Sequence, residues 1–144
     1  MRKRDLIESE TRSFGDLQHA TETFLRKAFG RNSAVVLRQL PAARAYVRDL
    51  GMLLRLSFRE GLQVIQGGPQ DADIVLSSDC LLYCLSFDWG GDTLEASGRY
   101  EVPRAGNVQR FRRIFRVASL NSSGDRVDAF LLARKALARV AGAA

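Results

Sequence analysis

The chain has 144 residues, of which 46% are hydrophobic and 26% are charged. A single domain of this size buries enough surface for a core without disulfides or metals, and no apolar run approaches the ~20 residues that span a bilayer. The opening residues, MRKRDLIESETR, contain too many acidic and too few apolar side chains for a secretory signal. We therefore expect a single cytoplasmic domain over residues 1–144, with residues 1–13 as a helical arm or N-terminal extension.

The net charge of +6 is spread unevenly along the chain. Residues 1–50 carry ten basic and six acidic side chains, residues 51–98 carry two and seven, and residues 99–144 carry ten and three. A basic C-terminal third suggests an anionic partner, either phospholipid or nucleic acid. The alternative is that these charges cover solvated helix faces and keep the protein soluble.

The first predicted helix covers residues 14–29. Ser13 and Asp16 have the spacing of a capping box at its start, and apolar residues recur along it at helical intervals. Ser33–Leu40 contains consecutive aliphatic residues and is predicted to be a short strand. Ala42–Leu50 is rich in helix formers after a proline, which predicts a second helix.

Three short strands are predicted next. Met52–Phe58 alternates in the manner of a strand, and the tight turn at Glu60-Gly61 joins it to Leu62–Gln66 as a hairpin. Ala72–Ser77 is a further aliphatic run. Because the connections are short, we expect an antiparallel meander.

A helix and a fifth strand are predicted to follow. Ser77 or Ser78 caps the helix, and its apolar side comprises Leu81, Leu82, Cys84 and Leu85. Gly90 and Gly91 then break the chain. Thr93–Val102 alternates between apolar and polar residues, which is typical of a strand covered on one side.

Two helices are predicted at the C-terminal end. Asn107 caps a helix over Val108–Leu120, and Ser122 with Asp125 caps the last one. Strands and helices are segregated along the chain, so the predicted fold class is α+β. We expect an antiparallel sheet of about five strands with helices packed over one face.

The sequence contains no nucleophile elbow, phosphate-binding loop or dinucleotide-binding fingerprint. His19 has no partner nearby in sequence and is interpreted as a surface residue. Cys80 and Cys84 share a helix face and suit packed thiols better than a disulfide. Three acidic side chains are interpreted as strand ends and a helix start rather than as a paired-acid site: Asp71, Asp73 and Asp79. We expect no catalytic residue, metal site or cofactor.

One side of the helix predicted at Val108–Leu120 carries four arginines, namely Arg110, Arg112, Arg113 and Arg116. Phe111 and Phe115 lie on its opposite face, where they cannot stack on bases beside these arginines. A basic helix with an aromatic second face fits an anionic membrane surface better than a nucleic acid. The alternative is a core helix with a solvated arginine face.

Several stretches follow one another in an order that a known family shares: Leu54–Phe58 with Glu60-Gly61, Leu62–Gly67, Ala72–Leu76, Asp79–Leu85 and Leu94–Gly98 with its Ser97-Gly98 pair. Over Met52 to Ser119 the chain resembles the sterol-carrier-protein-type (SCP-2-like) lipid-binding family. The resemblance implies a five-stranded sheet, helices over one face and an apolar tunnel between them for lipids. The family also occurs as a domain of alkyl-sulfatase-like metallohydrolases and as accessory factors in ubiquinone synthesis. The segment Phe87–Asp92 and the arginine-rich helix depart from its usual pattern.

We therefore predict a non-catalytic binding or carrier protein for an apolar small molecule, either a lipid or an acyl chain. The predicted cavity lies between sheet and helices and is lined by Leu54, Leu56, Leu81, Leu85, Leu94, Phe111, Phe115, Phe130 and Leu131. The same side chains would otherwise close into a solid core. The predicted contact with an anionic surface comprises Arg110, Arg112, Arg113 and Arg116.

The alternative function is an interaction or dimerisation module. In that case Trp89 and the arginine-rich helix would contact a second copy or a partner protein, for example in lipid or ubiquinone metabolism or beside a hydrolase. Nucleic-acid binding through the basic C-terminal third is the least favoured of the three functions.

Overall fold

The computed structural model describes residues 11–142. Its helices are α1 (Phe14–Arg31), α2 (Ala34–Gln39), α3 (Ser78–Ser86), α4 (Gly90–Ser97), α5 (Val108–Ser122) and α6 (Ala129–Gly142). Its strands are β1 (Ala43–Val47), β2 (Met52–Ser57), β3 (Gly61–Ile65) and β4 (Ile74–Leu76), and a short 3-10 helix covers Pro69–Asp71. The predicted arm falls largely on residues 1–10, which lie outside the described residues.

The strands form one mixed sheet in the order β3-β2-β1-β4. The β1–β2 and β2–β3 pairs are antiparallel, whereas β4 lies parallel to β1, with Ala45 opposite Ile74. The α+β class is confirmed, but the prediction of about five antiparallel strands is wrong. The connection between β3 and β4 carries the chain past β2 to the far side of β1, so these strands do not form a meander.

Residues 43–47 form a strand, although a helix was predicted at Ala42–Leu50. Ala43, Ala45 and Val47 are buried while Arg44 is exposed, which is the period of two that a strand requires. Alanine favours helices in isolation, but here β1 is paired on both edges. Tertiary context therefore outweighs local propensity.

Residues 34–39 form a helix, although Ser33–Leu40 was predicted to be a strand. Val36 and Leu37 are adjacent and both buried, whereas Val35 is exposed. A strand covered on one face would not bury two successive side chains.

Residues 90–97 form α4, so the strand predicted at Thr93–Val102 is wrong. Of the apolar residues that alternate in this segment, only Leu94 is buried. Gly98 ends the helix in the left-handed conformation with φ of 65°. Beyond it, Glu101 makes one isolated bridge to Val75 of β4, which is all the sheet pairing described for the segment.

The ends of several helices agree with the predicted caps. Ser13 and Asp16 form a reciprocal capping box on α1, Ser77 caps α3, and Asn107 caps α5. The predicted cap of the last helix, Ser122 with Asp125, is wrong. An Asp128 carboxylate oxygen instead accepts a hydrogen bond from the backbone N–H of Leu131, at 2.8 Å.

Candidate functional site

The residues predicted to line a cavity between sheet and helices are mostly packed together in one buried cluster. Its members from that prediction are Leu54, Leu56, Leu81, Leu85, Leu94, Phe111, Phe115 and Leu131. Phe130 is not among them, because it is 74% exposed on α6. Leu94 comes from α4 rather than from the sheet. Open space beside these residues therefore has to be sought at the edges of the cluster.

An open groove of about 460 Å³ runs between α4 and α5, and we call it the α4–α5 groove. Its lining includes four apolar side chains from the edge of the core, namely Ile74, Leu94, Phe111 and Phe115. The amphipathic pattern of α5 accounts for this position, since the helix buries both phenylalanines against its neighbours. The groove falls within the size range of small-molecule sites.

The same groove has a cationic side. Arg112, Arg113 and Arg116 all line it. Arg112 is engaged, with its guanidinium 3.0 Å from the Glu95 carboxylate. Arg113 and Arg116 are exposed and make no ion pair with any residue between 11 and 142. Their positive charge is therefore available to an anionic group, opposed mainly by Asp92 in the same lining.

Arg110 has a different role from the other three predicted arginines. Its guanidinium lies 3.7 Å from Asp73, whose side chain is only 6% exposed. Arg110 does not line the α4–α5 groove. The predicted cluster thus divides into one residue that pairs with a buried acid and three at the groove.

A second groove, of about 450 Å³, lies between α1 and α3. We call it the α1–α3 groove. Apolar side chains of both helices line it, and so does a row of residues spaced by four along α1: His19, Thr23, Lys27 and Arg31. The sequence interpretation missed this site. The spacing itself was visible, but the groove depends on α3, which is remote in sequence.

The cysteines add no reactive group to either groove. Cys84 is fully buried, and this burial, with Cys80 nearby, raises the pKa of its thiol to about 12. A thiol with so high a pKa stays protonated and is a poor nucleophile at neutral pH. Within residues 11–142, no group of three or more His, Cys, Asp and Glu side chains is placed to hold a metal ion. In the same range, no helix combines the length and hydropathy needed to cross a bilayer.

No family model matches the chain, and no curated protein matches it. Among solved structures, the chain is similar to one titled "UbiJ-SCP2 Ubiquinone synthesis protein", with 21% sequence identity and a TM-score of 0.45. The match covers 72% of this chain and 93% of that one. This structure carries the family name that the sequence resembles. A TM-score of this size carries no argument about function, so the proposals below rest on the geometry of the grooves.

Proposed function

We propose that the chain is a non-catalytic binding protein for an amphipathic small molecule, which lies in the α4–α5 groove. The ligand has an elongated apolar part and an acidic head, as a fatty acid does. The observation that carries this proposal is the combination of an apolar lining with two exposed arginines, Arg113 and Arg116, at one open groove.

Elementary energetics support a ligand of this class. Each methylene that leaves water for an apolar wall contributes about 0.8 kcal/mol, so a chain laid along Leu94, Phe111 and Phe115 gains affinity with length. A guanidinium is suited to a carboxylate or phosphate because its planar donors match two oxygens at once. Arg113 and Arg116 would therefore fix the head while the lining binds the tail.

The proposal is tested by titrating dodecanoate into the isotopically labelled protein below its micelle concentration, with dodecanol as the neutral comparison. We expect amide chemical shifts to change mainly in α4 and α5. The acid should bind roughly tenfold more tightly than the alcohol, as one charge-assisted contact would provide. Shifts confined to the α1–α3 groove, or equal affinities for acid and alcohol, would contradict the proposal.

Two pairs of variants make the test specific. Ser119 lies in the groove lining, so Ser119→Phe should fill the groove and abolish binding, while Ser119→Ala should leave it intact. Replacing both Arg113 and Arg116 by Gln should remove the preference for the acid. Arg59→Gln is the matched control, because Arg59 is exposed in the β2–β3 turn and does not line the groove.

A further inference from the structure

Three aromatic side chains are exposed together where α3 meets α4. Tyr83, Phe87 and Trp89 are 42%, 56% and 61% exposed, and the rings of Tyr83 and Phe87 lie 4.7 Å apart. Phe87 and Trp89 belong to the three-residue link between the helices. We call these three residues the aromatic corner. Because large rings gain free energy by leaving water, a corner of this kind is a candidate contact surface.

The aromatic corner stands between the two grooves. Phe87 lines the α1–α3 groove, together with Lys27 and Arg31. Trp89 lines the α4–α5 groove, together with Arg113 and Arg116. Cationic side chains therefore flank the exposed rings on both sides.

The acidic groups around the corner are mostly neutralised. Asp88 pairs with Lys27 at 3.5 Å, and Glu95 pairs with Arg112 at 3.0 Å. Asp92 is the remaining acid in this lining. It faces three exposed arginines, Arg31, Arg113 and Arg116, which make no ion pair with other residues in the described range. The charge beside the rings is thus positive on balance.

We propose that the aromatic corner docks on a lipid surface that contains anionic lipids. Tyrosine and tryptophan rings settle at the boundary between headgroups and acyl chains, since each has an apolar body and a polar atom. Flanking arginines are attracted to anionic headgroups. Docking in this orientation places both grooves beside the bilayer. This inference goes beyond the proposed function and stands without it, because it concerns the outer surface and not the groove.

Trp89 is the chain's single tryptophan, so its fluorescence reports on this site alone. The probe is vesicles of phosphatidylcholine and phosphatidylglycerol in equal amounts, compared with vesicles of phosphatidylcholine only. We expect a blue shift and quenching by brominated lipids with the mixed vesicles, and both should weaken as salt screens the arginines. An unchanged spectrum with the mixed vesicles would overturn the proposal.

Variants separate docking from uptake of a single lipid into the groove. Ser119→Phe, which fills the α4–α5 groove, should still sediment with the mixed vesicles. Phe87→Ala should lower that sedimentation roughly tenfold because it removes one buried ring from the contact. Val64→Ala is the control, since Val64 is 53% exposed on β3 and should have no effect. Loss of sedimentation in Ser119→Phe, or its persistence in Phe87→Ala, would contradict docking through the corner.

A protein contact through the same corner gives a different result. It would appear as a dimer in light scattering of the wild type, absent in Trp89→Ala, without sedimentation on vesicles. That combination would assign the corner to a second copy of the chain and overturn the proposal.

Discussion

Asp73 shows how one buried carboxylate joins distant segments beside the groove. Its two carboxylate oxygens accept hydrogen bonds from the backbone N–H groups of Arg44 and Asn107, both at 3.0 Å. Arg110 lies 3.7 Å away. The acid therefore ties β1 to the start of α5, the helix that forms one wall of the α4–α5 groove. The sequence interpretation placed Asp73 correctly at a strand end but could not identify its partners, which lie 29 and 34 residues away.

The first prediction concerns this acid. Asp73→Asn should lower the free energy of unfolding by about 3 kcal/mol, because the amide replaces a charged acceptor and one backbone N–H loses its partner. Chemical denaturation measures the change.

Glu101→Gln is the matched control for Asp73→Asn. Glu101 pairs with Arg48, and both side chains are more than half exposed, so we expect a change of less than about 1 kcal/mol. Equal effects of the two variants would contradict the structural role of Asp73.

A reciprocal amide pair is the residue-scale feature that local patterns could not reveal. The side-chain amides of Asn32 and Asn121 donate to each other's oxygens, each at 2.8 Å. Asn32 also accepts from the backbone N–H of Val127 at 2.7 Å. The end of α1, the end of α5 and the loop before α6 are joined in this way. Such pairing depends on residues 89 positions apart, which periodicity does not address.

At the scale of elements, strong local signals predicted the structure well and weak ones did not. The helix at α1, the β2–β3 hairpin and the capped start of α5 follow from amphipathic spacing, a tight turn and an N-cap. The segments at α2 and β1 were exchanged, because consecutive aliphatic residues suggested a strand and alanines suggested a helix. Packing in the sheet decided both of those segments.

The segment of α4 failed for a related reason. Alternation between residues 93 and 102 indicated a strand, but the pattern is too short to distinguish a strand from one face of a short helix. Close approach of α4 to α3 was not visible in the sequence. A Cβ at Gly90 would lie 2.6 Å from the Cα of Cys84, so glycine permits the helix to begin there.

The second prediction tests the end of α4. Gly98 has φ of 65° and nothing within 4 Å of an added Cβ, so Gly98→Ala changes the backbone energy alone. We expect a loss of about 1 kcal/mol in the free energy of unfolding, measured by chemical denaturation.

Gly30→Ala is the matched control for Gly98→Ala. Gly30 lies within α1, also with nothing within 4 Å of its added Cβ. Alanine there should stabilise the protein by about 0.5–1 kcal/mol. If Gly98→Ala were neutral or stabilising, a left-handed helix end at this position would be wrong.

At the scale of the whole molecule, the uneven charge along the chain has a structural counterpart. Four ion pairs join the acidic middle of the chain to its basic ends: Arg12–Asp79, Lys27–Asp88, Arg110–Asp73 and Arg112–Glu95. Much of the asymmetry is thus used between segments of one chain. The arginines left over, such as Arg113 and Arg116, are the ones that lie at the groove.

Both grooves form between helices that local patterns cannot bring together. The α4–α5 groove needs α4, which was predicted to be a strand, and the α1–α3 groove joins helices separated by the whole sheet in sequence. The apolar residues at the α4–α5 groove were nonetheless identified in part, since Leu94, Phe111 and Phe115 were among those predicted to contact a ligand. Their spacing marked them as inward-facing, whereas the position of open space depended on the fold.

Native mass spectrometry after incubation with dodecanoate tests the central claim most directly, because it counts ligands bound to the intact chain. The account predicts one bound dodecanoate on the wild type and on Ser119→Ala, and none on Ser119→Phe. An unliganded wild type, or equal occupancy of wild type and Ser119→Phe, would contradict a binding site in the α4–α5 groove.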